Sequence, residues 1–223
     1  MTDIDVSPEV ASTIRQARAL RQSGKKAEAL ELLDKSAGAN KDMALIGERG
    51  LLALELGQVE KAEQLLPRDQ DPKRLDWRLL SGYGAALLAN GMQKDVQTQF
   101  SKALAHAPDQ TSILNNLALS YALEGRRDEA EKILRQAASS QTGDPRPKQN
   151  LALILGLNGK VKEARALTES TLPPEKAKAN IAYFERLGTG GPAISRSQTV
   201  TPQPIKAASV VEDKPIMQLG IAD

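Results

Sequence analysis

The sequence predicts an all-α protein: a solenoid of about five helix hairpins and a capping helix over residues 10–187, between a flexible segment 1–9 and a tail 188–223. Three series of small residues carry this reading. Glycines fall at Gly24, Gly57, Gly91, Gly125 and Gly159, spaced by 33, 34, 34 and 34 residues. Five residues after each stand Ala29, Ala62, Val96, Ala130 and Ala164. Seven residues before them stand Ala17, Gly50, Gly84, Ala118 and Ala152. A period of this length is the mark of a repeat architecture.

Each unit reads as helix, turn, helix. In unit four, Ile113, Leu114, Leu117, Ala118 and Tyr121 recur at three- and four-residue intervals before Gly125 interrupts. Ala130, Ile133, Leu134 and Ala137 then form a second stripe, the periodicity of an amphipathic helix. The glycine is expected to end the first helix in the left-handed conformation, which has no Cβ clash to overcome. The small residues before and after it let two antiparallel helices approach closely. Unit two departs most: Pro67 is expected to end its second helix early, giving a short helix and an irregular bend from Pro67 to Asp76 with Asp69 inside it. After Pro173 and Pro174, the stretch Glu175–Leu187 puts Ala177, Ile181, Phe184 and Leu187 on one face. Proline suits a helix start, and a solenoid needs its terminal unit covered. From Gly188 onward, glycines, prolines and balanced charge predict a disordered tail.

Composition narrows the chemistry. The 30 Lys and Arg nearly balance the 28 Asp and Glu, so no field draws the chain to nucleic acid or an anionic surface. With no Cys and a single His, His106, thiolate clusters, disulfides and His-rich metal sites are excluded. No apolar run approaches a membrane span, and residues 1–8 show no secretory signal in the chain as given. No carboxylate pair suggests acid–base work, and the glycines at 188–191 lack the Lys-Ser/Thr of a phosphate loop. The expectation is no enzyme, no cofactor and no metal.

The repeat resembles the tetratricopeptide repeat, a hairpin of about 34 residues that stacks into a right-handed superhelix. The two small-residue series occupy that family's eighth and twentieth positions. Ser36, Ala103, Ala137 and Thr171 fit its twenty-seventh, and Pro108 its closing proline. Unit three matches best, through Leu80, Tyr83, Gly84, Leu87, Phe100, Ala103 and Pro108.

The C-terminal half resembles a narrower group. Asn115-Asn116-Leu117-Ala118-Leu119-Ser120-Tyr121-Ala122, Asp144-Pro145-Arg146 and Gln149-Asn150-Leu151-Ala152-Leu153 look like the TadD family of tight-adherence (Flp-type) pilus assembly proteins. So do Leu172-Pro173-Pro174-Glu175, Ala179-Asn180-Ile181-Ala182-Tyr183 and the Asp76-Trp77-Arg78 opening of unit three. The resemblance implies a non-enzymatic accessory or pilotin-like factor on the periplasmic face of the outer membrane, with the secretin or another assembly component as its protein partner. The chain as given has no lipid-acceptor Cys. The alternative is a cytoplasmic adaptor that recruits a peptide motif of a chaperone client or regulator.

In tetratricopeptide stacks the first helices line the concave face. That implies a peptide groove formed by Arg78, Ser81, Asn115, Asn116, Leu119, Arg146, Gln149, Asn150 and Leu153. Amides can pair with an extended backbone, arginine with a carboxylate, and leucines offer apolar pockets. The competing reading is an ordinary solvated polar face. The charges do not reproduce the Lys/Asn clamp by which some family members hold chaperone C-termini. His106 and the basic residues at the inter-helix turns (Lys25, Lys26, Arg126, Arg127 and Lys160) read as solvated, and Trp77 as packing over its neighbouring turn.

Overall fold

A computed structural model describes residues 7–37, 42–67, 76–92, 95–140 and 142–188. Asp69, most of the expected bend and residues 189–223 of the tail lie outside them. Eleven helices and no strand are found among the described residues. They are α1 (Pro8–Gln22), α2 (Lys26–Ala37), α3 (Met43–Glu55), α4 (Val59–Leu65), α5 (Trp77–Ala89) and α6 (Val96–His106). Then follow α7 (Thr111–Leu123), α8 (Arg127–Ala138), α9 (Arg146–Leu157), α10 (Val161–Thr171) and α11 (Pro174–Gly188). Ten of them pair as the five hairpins and α11 is the cap, so the all-α solenoid is observed.

The hairpin turns share one construction. Gly24, Gly57, Gly91, Gly125 and Gly159 all have φ between 71° and 81°. The residue after each glycine donates its N–H to a carbonyl one turn into the helix, as Arg126 does to Tyr121 at 2.9 Å and Lys160 to Leu155 at 2.8 Å. This is the Schellman closure, which satisfies carbonyls that the helix end leaves without partners.

The small residues sit where helices touch. A Cβ on Gly84 would meet the Phe100 ring at 3.0 Å, and one on Gly50 would meet Leu66 at 2.7 Å. Ala118 and Ala130 are fully buried. Phe100 anchors a central core shared by α3 to α7, and smaller cores flank it toward each end.

The ends and the irregular unit differ in detail. Pro8 opens α1 and the Ser7 hydroxyl accepts the Val10 N–H at 3.3 Å. The first helix therefore takes up residues 8 and 9 of the segment expected to be flexible, because Ser-Pro is itself a helix-start signal; residues 1–6 lie outside the described chain. Helix α4 has only 7 residues. Leu66, preceding Pro67, is extended at ψ 128°, since a residue before proline is driven out of the helical region. At the far end Ala177, Ile181 and Phe184 are buried, and α11 packs on α9 and α10.

Candidate functional site

Helices α1, α3, α5, α7 and α9 pack on their successors side by side, while the second helices stand further apart, α2 and α4 bridged by Asp34–Lys61 at 2.8 Å and α8 and α10 by Arg135–Glu163 at 2.7 Å. The first helices therefore converge on an inner face and the second helices splay outward. All nine expected groove residues lie on the first helices.

Their exposure is not that of a solvated face. Asn115 and Asn116 are 0% exposed, Ser81 and Asn150 1%. Leu119 and Leu153 are buried as well, and Arg78, Arg146 and Gln149 are half-buried. The amides bond across and within units: Asn150 Nδ2 of α9 donates to Asn115 Oδ1 of α7 at 2.7 Å, and Asn115 Nδ2 donates to its neighbour Asn116 Oδ1 at 3.2 Å. A carboxamide in a dry interior must be paired, and here the neighbouring amide supplies the pairing. Gln149 Nε2 reaches the Thr171 carbonyl at 3.5 Å.

The two arginines are held by acids in their own helix entries. Asp76 accepts the Arg78 backbone N–H at 2.9 Å and its guanidinium at 2.7 and 3.1 Å. Asp144 accepts the Arg146 N–H at 3.0 Å and its Nε at 2.9 Å. Hydrogen bonding to Asp76 raises the Arg78 guanidinium above its ordinary value against the opposing cost of burial. Burial alone would raise the Asp144 carboxyl, but Arg146, through side chain and backbone, outweighs it and holds that acid low. Each arginine is thus a strut of the helix start as well as a groove residue.

Sequence reasoning missed a second set of residues on the inner side. The buried Glu48 carboxylate of α3 pairs with Arg18 of α1 and with Arg78 of α5, the latter at 3.4 Å. Three consecutive units are tied through one acid. On the outer side Glu131 accepts from Lys160 at 2.6 Å, Asn158 at 2.9 Å and Arg135 at 3.0 Å. Burial would raise the Glu131 carboxyl, yet these three donors prevail and lower it. The signal was present as complementary residues about one period apart: 18, 48 and 78, or 131 and 158.

The turn cations are all engaged: Lys25 with Glu28, Lys26 with Glu55, Arg126 with Glu129, Lys160 with Glu131, and Arg127 with the Leu157 carbonyl. Arg126 also lies 4.3 Å from the Tyr121 ring centroid. His106 is exposed at the end of α6 and Trp77 packs half-buried against the central core. Among the described residues no cluster of His, Asp and Glu is arranged to hold a metal ion. No helix among them is long and apolar enough to cross a membrane.

Comparison with known proteins agrees with this geometry. One tetratricopeptide repeat model matches residues 111–141 and another matches residues 10–35. No curated protein sequence matches the chain. Among solved structures, a thermophilic tetratricopeptide protein of Thermus thermophilus aligns with a TM-score of 0.59 and 23% identity over 79% of this chain and 98% of that one. MamA from Desulfovibrio magneticus gives 0.56 and 16% over 81% and 97%. The C-terminal part of a repeat protein from Cytophaga hutchinsonii gives 0.58 and 16% over 78% and 70%. At these identities the likeness concerns the fold alone. Residues 10–35 and 111–141 thus match tetratricopeptide repeat models, and the chain has the all-α solenoid fold of these tetratricopeptide neighbours.

Proposed function

We propose that this chain is a non-enzymatic accessory factor for assembly of a tight-adherence (Flp-type) pilus secretion system. It acts at the periplasmic face of the outer membrane and captures a segment of the secretin or another assembly component on its inner face. The observation that carries the binding part is the half-buried rim of Arg78, Arg146 and Gln149 on the first helices α5 and α9, above the closed row of amides and leucines. Such a rim offers a bound segment guanidinium and carboxamide groups on the inner face where solenoids bind. The pilus assignment is supported by the sequence resemblance in units three to five and the Leu172-Pro173-Pro174-Glu175 ending.

The test is a pull-down from a host that builds such pili. The half-buried rim residues are changed together, Arg146→Glu with Gln149→Ala, beside the outer-face control Gln136→Glu. Wild type and control are expected to recover the secretin or a neighbouring component, and the rim variant at least tenfold less. Recovery of only cytosolic clients would replace the pilus role with the adaptor reading. Full recovery by the rim variant would remove the inner face as the site.

A further inference from the structure

We propose that Asn90 and Asn158 are latent self-modification sites, where the following glycine nitrogen can displace the side-chain amide, and that Glu63 and Glu131 of the preceding hairpins hold both asparagines unreacted. The inference concerns the hairpin turns and is independent of the partner proposed above.

Asparagine precedes glycine at two places in the sequence, Asn90-Gly91 and Asn158-Gly159. Glycine has no Cβ, so its backbone nitrogen stays open to approach from the neighbouring side chain. Both pairs form hairpin turns that water reaches: the asparagines are half-buried and Gly159 is exposed. The other three turn glycines follow Ser23, Leu56 and Glu124, which carry no side-chain amide. The chemistry needs nothing but water. The glycine nitrogen gives its proton to solvent and bonds to asparagine Cγ. The Cγ–Nδ2 bond breaks, and Nδ2 takes a proton from water and leaves as ammonia. Water then adds to one carbonyl of the cyclic imide and opens it to aspartate or isoaspartate, with no change of oxidation state.

The closed turn opposes this step at both reacting groups. The Gly159 N–H donates to the Gly156 carbonyl and the Gly91 N–H to the Leu88 carbonyl, each at 3.1 Å. The amides are held from outside the turn. Asn90 Nδ2 donates to Glu63 of α4 at 2.5 Å, and Asn158 Nδ2 donates to Glu131 of α8 at 2.9 Å. Each acceptor stands 27 residues earlier, on the second helix of the preceding hairpin, so one unit guards the turn of the next. The two guarded turns lie two periods apart, and so do their carboxylates. An ionised acceptor holds an amide more strongly than a neutral one. Reaction therefore waits for the junction to open, an event that local unfolding supplies without loss of the whole fold.

The product changes the junction. At Asn158, conversion sets a second carboxylate against Glu131, where Lys160 and Arg135 already serve the first, and two carboxylates sharing a site repel. Isoaspartate also lengthens the backbone by one carbon, directly before the glycine whose φ of 78° closes the turn. The α8–α9 junction thus keeps a covalent record of having opened.

The test ages the full chain in mildly alkaline buffer as wild type, Glu63→Ala and Glu131→Ala. Circular dichroism follows helicity, and peptide mass spectrometry reads amide-to-acid conversion at each asparagine. Glu131→Ala should convert Asn158 about fivefold faster than wild type, the factor equivalent to one hydrogen bond of about 1 kcal/mol, and leave Asn90 at the wild-type rate. Glu63→Ala should do the reverse. Acceleration of both sites by either variant would overturn the guarding role, because general loosening would then explain it; no acceleration would overturn it equally. If an alanine variant loses its helicity, wild type aged in urea takes its place. Both Asn-Gly sites should then convert at least tenfold faster than in the folded chain, and ahead of Asn116 and Asn150. Equal rates in the folded and unfolded chain would refute protection by the fold.

Discussion

Position six of the first helix holds Glu48 in unit two but Asn116 and Asn150 in units four and five. In the N-terminal half the buried group is an anion, and arginines from the units before and after converge on it. In the C-terminal half it is a neutral amide, and the partners are other amides. The same backbone position thus joins neighbouring units by two kinds of bond. Arg18 and Arg78 keep part of their guanidinium in water, with side chains 42% and 27% exposed. The asparagines are sealed. The first junction can trade its partners for solvent and the second cannot.

That contrast sets the order of expected effects. Asn115→Leu should be most damaging, because it takes an acceptor from Asn150 and a donor from Asn116 in a closed interior. Each buried group left without its partner costs about 1–3 kcal/mol, so a loss of roughly 2–4 kcal/mol is expected, together with faster hydrogen exchange in α7 and α9. Unchanged exchange there would erase the distinction between the halves. Ala130→Leu comes next, since overpacking a fully buried crossing costs about 1–3 kcal/mol; a thermal melt that does not move would mean the repeat register is misplaced.

Glu48→Met should cost about 1 kcal/mol or less, because both arginines can turn to water and Arg78 retains Asp76. A loss as large as that of Asn115→Leu would show the acid to be as sealed as the amides. Raising ionic strength should weaken the Arg18–Glu48–Arg78 junction and leave the asparagine row unaffected. The smallest effect is at Glu131, whose folded-state carboxyl is held low. Its contribution is present above the ordinary glutamate value near about 4.3 and is lost as pH falls through the lower folded value. Glu131→Gln should therefore be less stable than wild type at neutral pH by about 1 kcal/mol or less, with the gap closing in acid. A gap that stays constant into strong acid would contradict that linkage.

The period, the turn glycines and the capping face were legible because each is local: a left-handed residue, a small residue at a crossing, a stripe within one helix. Gly125 and Ala130 announce their roles within a few positions of themselves. The inner-face residues were identified by register, but their solvation was not. Whether Asn115 is wet depends on what lies across the groove, which no pattern within α7 encodes. The junction acids escaped for a related reason. Glu48 and Arg78 are 30 residues apart, and their pairing becomes visible only when one unit is laid over the next. The Ser7-Pro8 start of α1 follows the same local capping rules.

The contact between α11 and the last hairpin has a consequence for assembly. A Cβ on Gly156 would come within 2.3 Å of the Phe184 ring, so the phenyl group fills the notch that a following unit would otherwise occupy. Every unit offers forward a surface like the one it covers behind, and such a surface left open accepts another molecule head to tail without ever closing. Phe184 ends that progression. It covers the open face of the last hairpin with one aromatic ring placed where the backbone carries no side chain.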